Sequence, residues 1–386
     1  MIRFSTFGPH IDKSDLKIVK EAMKPKNWYV NPYKYCEKFE KDFARYHNRS
    51  FALMTPNCTL AIHLFLLSLN LKSNDEVIVS ESTWIASASP VLQTKAKLVL
   101  CDVDANTWCL SIDQLKKIVS KKTKVIISTN VFGNMPDYKE LEYFCKKKKI
   151  HLLEDAAESL GSIYKGKKSG TFGTASVFSF HRTKTITTGE GGMILMDDPK
   201  IFKVCKIYRD HGRDHGKTKD LFNDYFAVKY MPFNLQAALG YSQFLKLKKL
   251  LIIKRNIFLN YKKFLKNLKN ISFNIDDKNL RNGCWATVIK IEDLKKKFYD
   301  EIFLKLQASG YLARPFFYPI SHLPAFKNYP DKNRIRKSSA KIATKLNKNS
   351  IVLPSSYNLK IKDIKKICKI IEKTIYKNEN SKKKRL

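Results

Sequence analysis

One lysine stands out by its surroundings. In Ser169-Gly-Thr-Phe-Gly-Thr-Ala-Ser-Val-Phe-Ser-Phe-His-Arg-Thr-Lys-Thr-Ile-Thr-Thr-Gly-Glu-Gly-Gly192, an apolar run ends at Phe180 and Lys184 follows in a loop. A glycine-rich turn, Gly189–Gly192, then leads into a second apolar run. A lysine just past a strand end can be buried enough to act as an amine nucleophile toward an aldehyde. Ser179, shortly before it, can offer a hydroxyl to a phosphate. An ordinary hairpin with an exposed lysine fits the same letters, so other segments must decide. Ile150-His-Leu-Leu-Glu-Asp155-Ala-Ala-Glu158-Ser-Leu-Gly161 is an apolar strand ending in carboxylates. A carboxylate there can keep a pyridinium nitrogen protonated and so make a ring an electron sink; an acidic helix start would look similar. Thr55-Pro-Asn57-Cys-Thr59-Leu-Ala-Ile-His63 follows a strand and opens a helix. That arrangement binds phosphate through backbone N–H groups, with the Thr59 hydroxyl in reach; Asn57 and Thr59 are also plain N-cap residues. In Glu81-Ser-Thr-Trp84, an indole at a strand end can stack on a planar ring or simply pack in the core.

The elements needed to hold these residues are visible in the pattern. Strand-like runs at Phe51–Met54, Glu76–Ser80, Lys97–Cys101, Val125–Thr129, His151–Glu154, Ala175–Phe180 and Met193–Met196 alternate with helical segments such as Thr59–Leu69, Ile112–Val119 and Asp137–Lys148. Alternation of this kind predicts an α/β fold whose sheet is mostly parallel with helices on both faces. Ligands then sit beyond the carboxyl ends of the strands, where the residues above fall. One long helical pattern runs from Asn234 to about Leu268, and a smaller α/β unit follows, with a strand at Trp285–Ile291 and helices at Leu294–Gly310 and Ile361–Tyr376. The expected division is a large domain over 1–248, a small C-terminal domain over 249–376, and a basic disordered tail over 377–386.

Composition narrows the function classes. The 386 residues are 44% hydrophobic and 12% aromatic, enough for a full core. No apolar run reaches the ~20 residues that span a bilayer. The start, Met1-Ile-Arg-Phe-Ser, lacks the pattern of a signal peptide, so the expected location is the cytoplasm. The eight cysteines form no CxxC pair and read as buried small residues. The net charge of +38 would attract polyanions, but lysine is over-used along the whole chain and no nucleic-acid-binding signature accompanies it. Compositional bias is the preferred explanation, and a basic nucleic-acid-binding regulator is the rival from another class. Asp210-His211-Gly-Arg-Asp214-His215-Gly216 spaces two histidines as a metal pair would, yet its glycines disfavour a helix. No metal site is expected.

In combination these motifs resemble the DegT/DnrJ/StrS-type sugar aminotransferases over about residues 5–375. The resemblance rests on Gly-x-Phe-Gly, Ser-Phe-x-x-x-Lys, Thr-Gly-Glu-Gly-Gly, Glu-Asp-Ala-Ala-Glu and the Asn-Leu-Gln-Ala-Ala-Leu-Gly of 234–240. Within the family the pattern is most similar to the GDP-perosamine synthase type, which aminates C4 of a GDP-4-keto-6-deoxy sugar. The resemblance implies fold type I, pyridoxal 5'-phosphate as cofactor, a nucleotide-diphosphate keto-sugar and an amino-acid donor (glutamate) as substrates, and a homodimer with shared active sites. It implies that Lys184 forms the Schiff base, Asp155 binds the pyridine nitrogen, Glu158 lies near the ring hydroxyl and Trp84 stacks on the ring. Cys58 through its backbone, Thr59 and Ser179 would hold the phosphate. Arg314, Tyr318 and His322, in a stretch typical of the sugar site, would bind substrate. Three positions depart from the family pattern: Cys58 replaces glycine in the phosphate turn, Lys229 replaces an asparagine given to the neighbouring subunit's phosphate, and Met231 replaces an arginine. The family also includes sugar dehydratases with histidine in place of the lysine, a branch that Lys184 argues against.

Overall fold

The computed structural model describes residues 7–214 and 222–383. Its strands are β1 (Phe51–Thr55), β2 (Glu76–Ser80), β3 (Lys97–Cys101), β4 (Thr123–Thr129), β5 (His151–Asp155), β6 (Ile163–Tyr164), β7 (Lys167–Lys168), β8 (Ala175–Ser179), β9 (Gly192–Met196), β10 (Ile271–Phe273), β11 (Leu280–Arg281), β12 (Val288–Ile291), β13 (Arg314–Pro315), β14 (Ile335–Arg336) and β15 (Ser350–Val352). Eight of them form one sheet in the order β1-β9-β8-β5-β4-β2-β3-β14. Pairing is parallel from β14 through β8, and β9 runs antiparallel to both β8 and β1. The runs Val77–Val79, Val125–Ile127 and Ile194–Met196 are fully buried. Both faces of the sheet are covered, so apolar residues need not alternate with polar ones. Each such side chain contributes about 1.5–3 kcal/mol relative to exposure.

Because β1, β2, β4, β5 and β8 share a direction, their carboxyl ends meet at one edge of the sheet. Thr55, Ser80, Thr129, Asp155 and Ser179 close these strands. The antiparallel β9 begins at that same edge, with Gly192 opposite both Thr55 and Ser179. The helix Cys58–Ser68 leaves β1 and is buried at Cys58, Ala61, Ile62, His63, Leu64, Phe65 and Leu66. Helices apolar on nearly every side belong to interiors. A second sheet, β10-β12-β15-β13, shares a separate core with the helices Leu247–Phe264, Lys296–Ala308 and Ile361–Lys383, built on Ile257, Tyr261, Ile289, Ile302, Ile351 and Ile367. Chain from this C-terminal half returns to the large sheet, where β14 adds alongside β3. Glu81, just past β2, fixes that return: its carbonyl accepts from Ile320 N (3.0 Å), and its carboxylate accepts from Ser321 N (2.9 Å) and Ser338 Oγ (2.8 Å).

Several elements differ from the sequence expectation. The helical pattern after Asn234 is two helices, Asn234–Leu245 and Leu247–Phe264, broken at Lys246 with φ −107° and ψ 14°. No glycine or proline marks the break; the Lys246 ammonium is instead drawn to Asp12 (3.0 Å) and to the buried Asp15. The strand expected over Trp285–Ile291 pairs only from Val288, since Thr287 N donates to Ser355 Oγ (3.0 Å) and Trp285 Nε1 to Thr183 O (2.8 Å). The last helix continues to Lys383, into the segment expected to be a disordered tail from 377. Asn378 follows Ile371 and Ile375 on one helical face, is fully buried, and accepts from Lys295 N (3.2 Å) while donating to Asp293 O (3.4 Å). The lysine-rich letters concealed that buried asparagine. All eight cysteines are unpaired and buried. Among the described residues no helix is long and apolar enough to cross a membrane.

Lys254, within the helix Leu247–Phe264, is 1% exposed and donates from Nζ to Ser355 O at 2.6 Å. Burial pushes its ammonium down from 10.5 to about 7. Between about pH 7 and 10 the unfolded chain therefore holds a proton that the folded chain lacks. Stability from this group rises with pH across that window, on the order of 1 kcal/mol per unit, and its burial penalty is full below it. Lys254→Met is expected to remove the dependence. Urea unfolding at several pH values should show a stability difference, variant minus wild type, that shrinks as pH rises from about 7 to about 10. A difference independent of pH would rule this out.

Candidate active site

The strand ends and the returning C-terminal chain enclose a cavity of about 460 Å³. Lys184, Asp155, Glu158, Trp84, Cys58, Thr59, Ser179, Arg314 and Tyr318 all line it. The Lys184 side chain is 14% exposed. Its Nζ lies 3.5 Å from Glu158 Oε1 and 3.9 Å from the centroid of the Trp285 ring. Glu158 is anchored in turn, accepting from Phe132 N at 3.0 Å. Phe132 presents that N–H from a left-handed backbone, φ 50° and ψ 37°. A bulky residue there costs on the order of 1–3 kcal/mol, strain that collects at functional sites.

Asp155 is 3% exposed at the end of β5. Its carboxylate accepts from Ser87 Oγ (2.6 Å) and Ala157 N (3.1 Å). Ser87 contacts Thr83 Oγ1 at 2.8 Å, and Thr129 Oγ1 donates to Thr83 Oγ1 at 3.0 Å. Since an ionised carboxylate only accepts, Ser87 donates to it and Thr83 donates to Ser87. The three hydroxyls thus form a chain with every proton directed at Asp155. Burial raises the Asp155 carboxyl above its ordinary value, opposed by the Ser87 hydroxyl, the Ala157 N–H and the charge of Lys184. Burial also raises Glu158, opposed by Lys184 and the Phe132 N–H. These two carboxylates face a cavity and favour a cation placed there.

At the opposite side the helix Cys58–Ser68 begins. Asn57 caps it, accepting from Leu60 N at 3.0 Å, and its carbonyl accepts from Ala61 N at 3.2 Å. The preceding N–H groups, of Cys58 and Thr59, belong to cavity-lining residues at the helix start. Such an end favours an anion. Burial pushes the Cys58 thiol well up, so its side chain is neutral and only its backbone can serve an anion. Gly192 packs against this turn: a Cβ on it would lie 2.5 Å from the Asn57 carbonyl and 2.6 Å from Cys58 N. Gln236 joins the same parts, donating from Nε2 to Pro56 O (3.0 Å) and to Glu190 O.

Trp84 stands on the wall with 64% exposure, its indole open to the cavity it lines rather than packed in the core. Arg314 lies 5.1 Å over the Phe7 ring, and desolvation together with Arg182 lowers its pKa. Tyr318 is 56% exposed at the rim. Two sequence-derived residues lie apart. His322 ends a single 3₁₀ turn, Ile320–His322, is exposed, and does not line the cavity. The turn is pinned through Ile320 N and Ser321 N to Glu81, which leaves His322 on the outer side of the segment. Lys229 is also outside; it pairs with Asp210 at 2.5 Å and lines a second cavity of about 480 Å³ with Asn27, Trp28, Tyr33 and Phe233. Of the paired histidines, His211 has a left-handed backbone (φ 58°), and His215 lies outside the described residues. Among the described residues no group of three or more histidine, cysteine, aspartate or glutamate side chains is placed to hold a metal. Sequence reasoning missed Ser87 and Thr129 and gave no role to Thr83, although Thr83 and Ser87 flank Trp84 closely. It also missed Trp285, which no local pattern marks.

The chain has known relatives. The chain is 30% identical over 366 residues to the GDP-perosamine synthase of Vibrio cholerae, covering 95% of this chain and 97% of that protein. It is 28% identical over 291 residues to the GDP-4-keto-6-deoxy-D-mannose 3-dehydratase of Escherichia coli O55:H7, covering 70% of this chain and 74% of that one. Its fold superposes with a TM-score of 0.86 on Helicobacter pylori PseC, an aminotransferase involved in the biosynthesis of pseudoaminic acid, at 25% identity over 96% of this chain and 99% of that chain. The model of one family matches residues 9–372, and the chain belongs to it: the DegT/DnrJ/EryC1/StrS aminotransferase family.

Proposed function

We propose that this enzyme transfers an amino group to the ketone of a nucleotide-linked 4-keto-6-deoxy sugar, GDP-linked, using pyridoxal phosphate and taking the amino group from glutamate. The observation that carries the reading is one cavity holding an amine, Lys184, between a buried carboxylate, Glu158, and an aromatic face, with a second buried carboxylate, Asp155, on its wall. The cavity fits the cofactor in kind. Asp155 would pair with a protonated ring nitrogen and relieve its own desolvation. The backbone of Cys58, with Thr59 and Ser179, would hold the phosphate, Trp84 would cover a ring face, and Glu158 would lie near the ring hydroxyl. Lys184 would attach the cofactor covalently. When bound, pyridoxal phosphate supplies a ring that accepts the electron pair left by a broken C–H bond.

The chain's own residues do the rest. The free amine of Lys184 would take a proton from the amino donor's α-carbon and would later give one to the sugar carbon. Glu158 keeps its amine at the cavity wall. The hydroxyls of Thr129, Thr83 and Ser87 fix the Asp155 carboxylate and oppose the effect of its burial. Arg314 and Tyr318, at the rim, meet the nucleotide-sugar. The likeness to the GDP-perosamine synthase of V. cholerae supports the GDP-linked substrate. Work in the cytoplasm on a precursor for a cell-surface glycan follows from the same reading. Borohydride treatment of the purified protein with cofactor is expected to fix the label to one peptide, that of Lys184. Asp155→Asn is expected to retain cofactor and lose at least about a hundredfold in kcat, with little change in KM. Label on another lysine, or a near-normal kcat, would overturn these roles. A dehydrated product in place of an aminated one, seen by mass spectrometry, would move the enzyme to the dehydratase branch.

The active unit in this reading is a two-fold homodimer with shared sites. Lys229 stands outside its own chain's cavity, next to an exposed apolar surface carrying Trp28, Tyr29, Val30 and Phe233. Each chain would lend Lys229 to the partner's phosphate. Two-fold interfaces are reciprocal, so Lys184→Ala and Lys229→Ala, each inactive or impaired alone, should complement when mixed. Random reassortment makes about half the dimers mixed, and about a quarter of all sites intact. Tagged co-purification confirms the mixed dimers and an amino-transfer assay reads the recovery. No recovery from verified mixed dimers would remove Lys229 from any shared site.

A further inference from the structure

We infer that Trp285 is the seat of Lys184: its indole face holds the free ammonium against Glu158 while its ring N–H fixes the backbone that carries the lysine. The inference rests on the reading of Lys184 as the cofactor-bearing amine. The two contacts of Trp285 are independent. Its face lies 3.9 Å from Lys184 Nζ, inside the range of a cation–π attraction. Its edge donates Nε1–H to Thr183 O at 2.8 Å, the carbonyl of the peptide bond that enters Lys184. The indole is 5% exposed and packs near-parallel to two rings, Phe7 at 4.6 Å and 14° and Phe132 at 5.7 Å and 9°. A clamped ring can position what it touches. Past the lysine, Tyr357 donates its hydroxyl to Thr185 O at 2.6 Å. The loop is thus bracketed by two donors, both supplied by the C-terminal half of the chain.

This arrangement answers a need of the chemistry. An amine that leaves the cofactor and must come back to move protons has to stay near while free. A lysine has four flexible bonds and a strongly hydrated head, and it would otherwise sample solvent. Glu158 alone offers only a 3.5 Å approach. The indole face adds a second wall, nonpolar toward the methylenes and attractive toward the charge. Trp285 lines the cavity, and the role assigned to it here is exerted through Lys184, as a positioning residue.

Two variants separate the contacts. Trp285→Phe keeps an aromatic face and loses the N–H; Trp285→Leu loses both. In the full-length protein freed of cofactor, mass spectrometry follows the rate at which a small acylating reagent labels Lys184, with exposed lysines as internal reference. The expected rate rises about threefold in Trp285→Phe and about tenfold in Trp285→Leu. With cofactor restored, the donor half-reaction should slow in the same order while KM for the nucleotide-sugar stays near wild type. Tyr357→Phe, which deletes one hydroxyl, guards against a leucine variant that does not fold and should slow the donor half-reaction several-fold. Borohydride mapping keeps the failures distinct. Label on another lysine overturns the assignment of Lys184 itself. Label on Lys184 with unchanged acylation and half-reaction rates in the Trp285 variants overturns the seat.

Discussion

A carboxylate placed where water cannot solvate it constrains the rest of this site. Asp155 sits 3% exposed at the end of the central strand β5, and burial alone would push it toward the neutral form. Keeping the charge takes donors from separate parts of the chain. Ser87 comes from the loop after β2, Ala157 from the turn after β5, and Thr129, two steps further back in the hydroxyl chain, from the end of β4. The loop that carries Ser87 also carries Trp84, so the contacts that stabilise the charge also place the aromatic wall. A buried donor left unmatched costs about 1–3 kcal/mol. Any change that removes the carboxylate therefore disturbs three hydroxyls and the loop they belong to, not one side chain.

A second constraint is close approach of backbone to backbone. The turn that opens the helix Cys58–Ser68 and the turn that follows Lys184 lie on neighbouring strands, and Gly192 is their point of contact. With a Cβ at 192 the Asn57 peptide would have to move, and the first N–H groups of the helix with it. Gln236 reinforces the join by donating to carbonyls of both turns. The anion-favouring helix start and the lysine loop are in consequence one rigid object. Backbone N–H groups suit this role here because Cys58, which stands in the usual place of a glycine, keeps its N–H while its thiol stays neutral in the interior.

The parts legible in the sequence were those encoded locally. The strands of the large sheet announce themselves as short apolar runs, since burial on both faces removes any alternation. Lys184, Asp155, Cys58, Thr59, Ser179 and Trp84 fall at the ends of such runs or within a few residues past them, and all of them line one cavity. What escaped depends on contacts distant in sequence. Trp285 reaches Thr183 across 102 positions and Tyr357 reaches Thr185 across 172, and neither lies in a recognisable pattern. Lys246 breaks a helical pattern because two aspartates near the N-terminus attract it. Asn378 prolongs the last helix because a loop of another element needs its amide. His322 was read as a substrate ligand with Arg314 and Tyr318, which line the cavity; one turn of 3₁₀ helix, pinned by Glu81, places His322 away from it.

The distribution of charge in the cavity gives it a direction. The chain carries +38 overall, and cationic side chains gather at the mouth, where Arg314 lies close enough to Arg182 to feel its charge. The inner wall is the reverse, with Asp155 and Glu158 both buried and the Lys184 amine beside Glu158. An anionic phosphate is thus favoured at the helix start and at the rim, and disfavoured beside the carboxylates, while a cationic ring atom is favoured only at the inner wall. A ligand with both kinds of group can satisfy all of these sites in a single orientation. The over-use of lysine raises the potential over the whole surface, but the sense of that orientation is fixed by the two buried acids and by the amine that Trp285 and Glu158 hold between them.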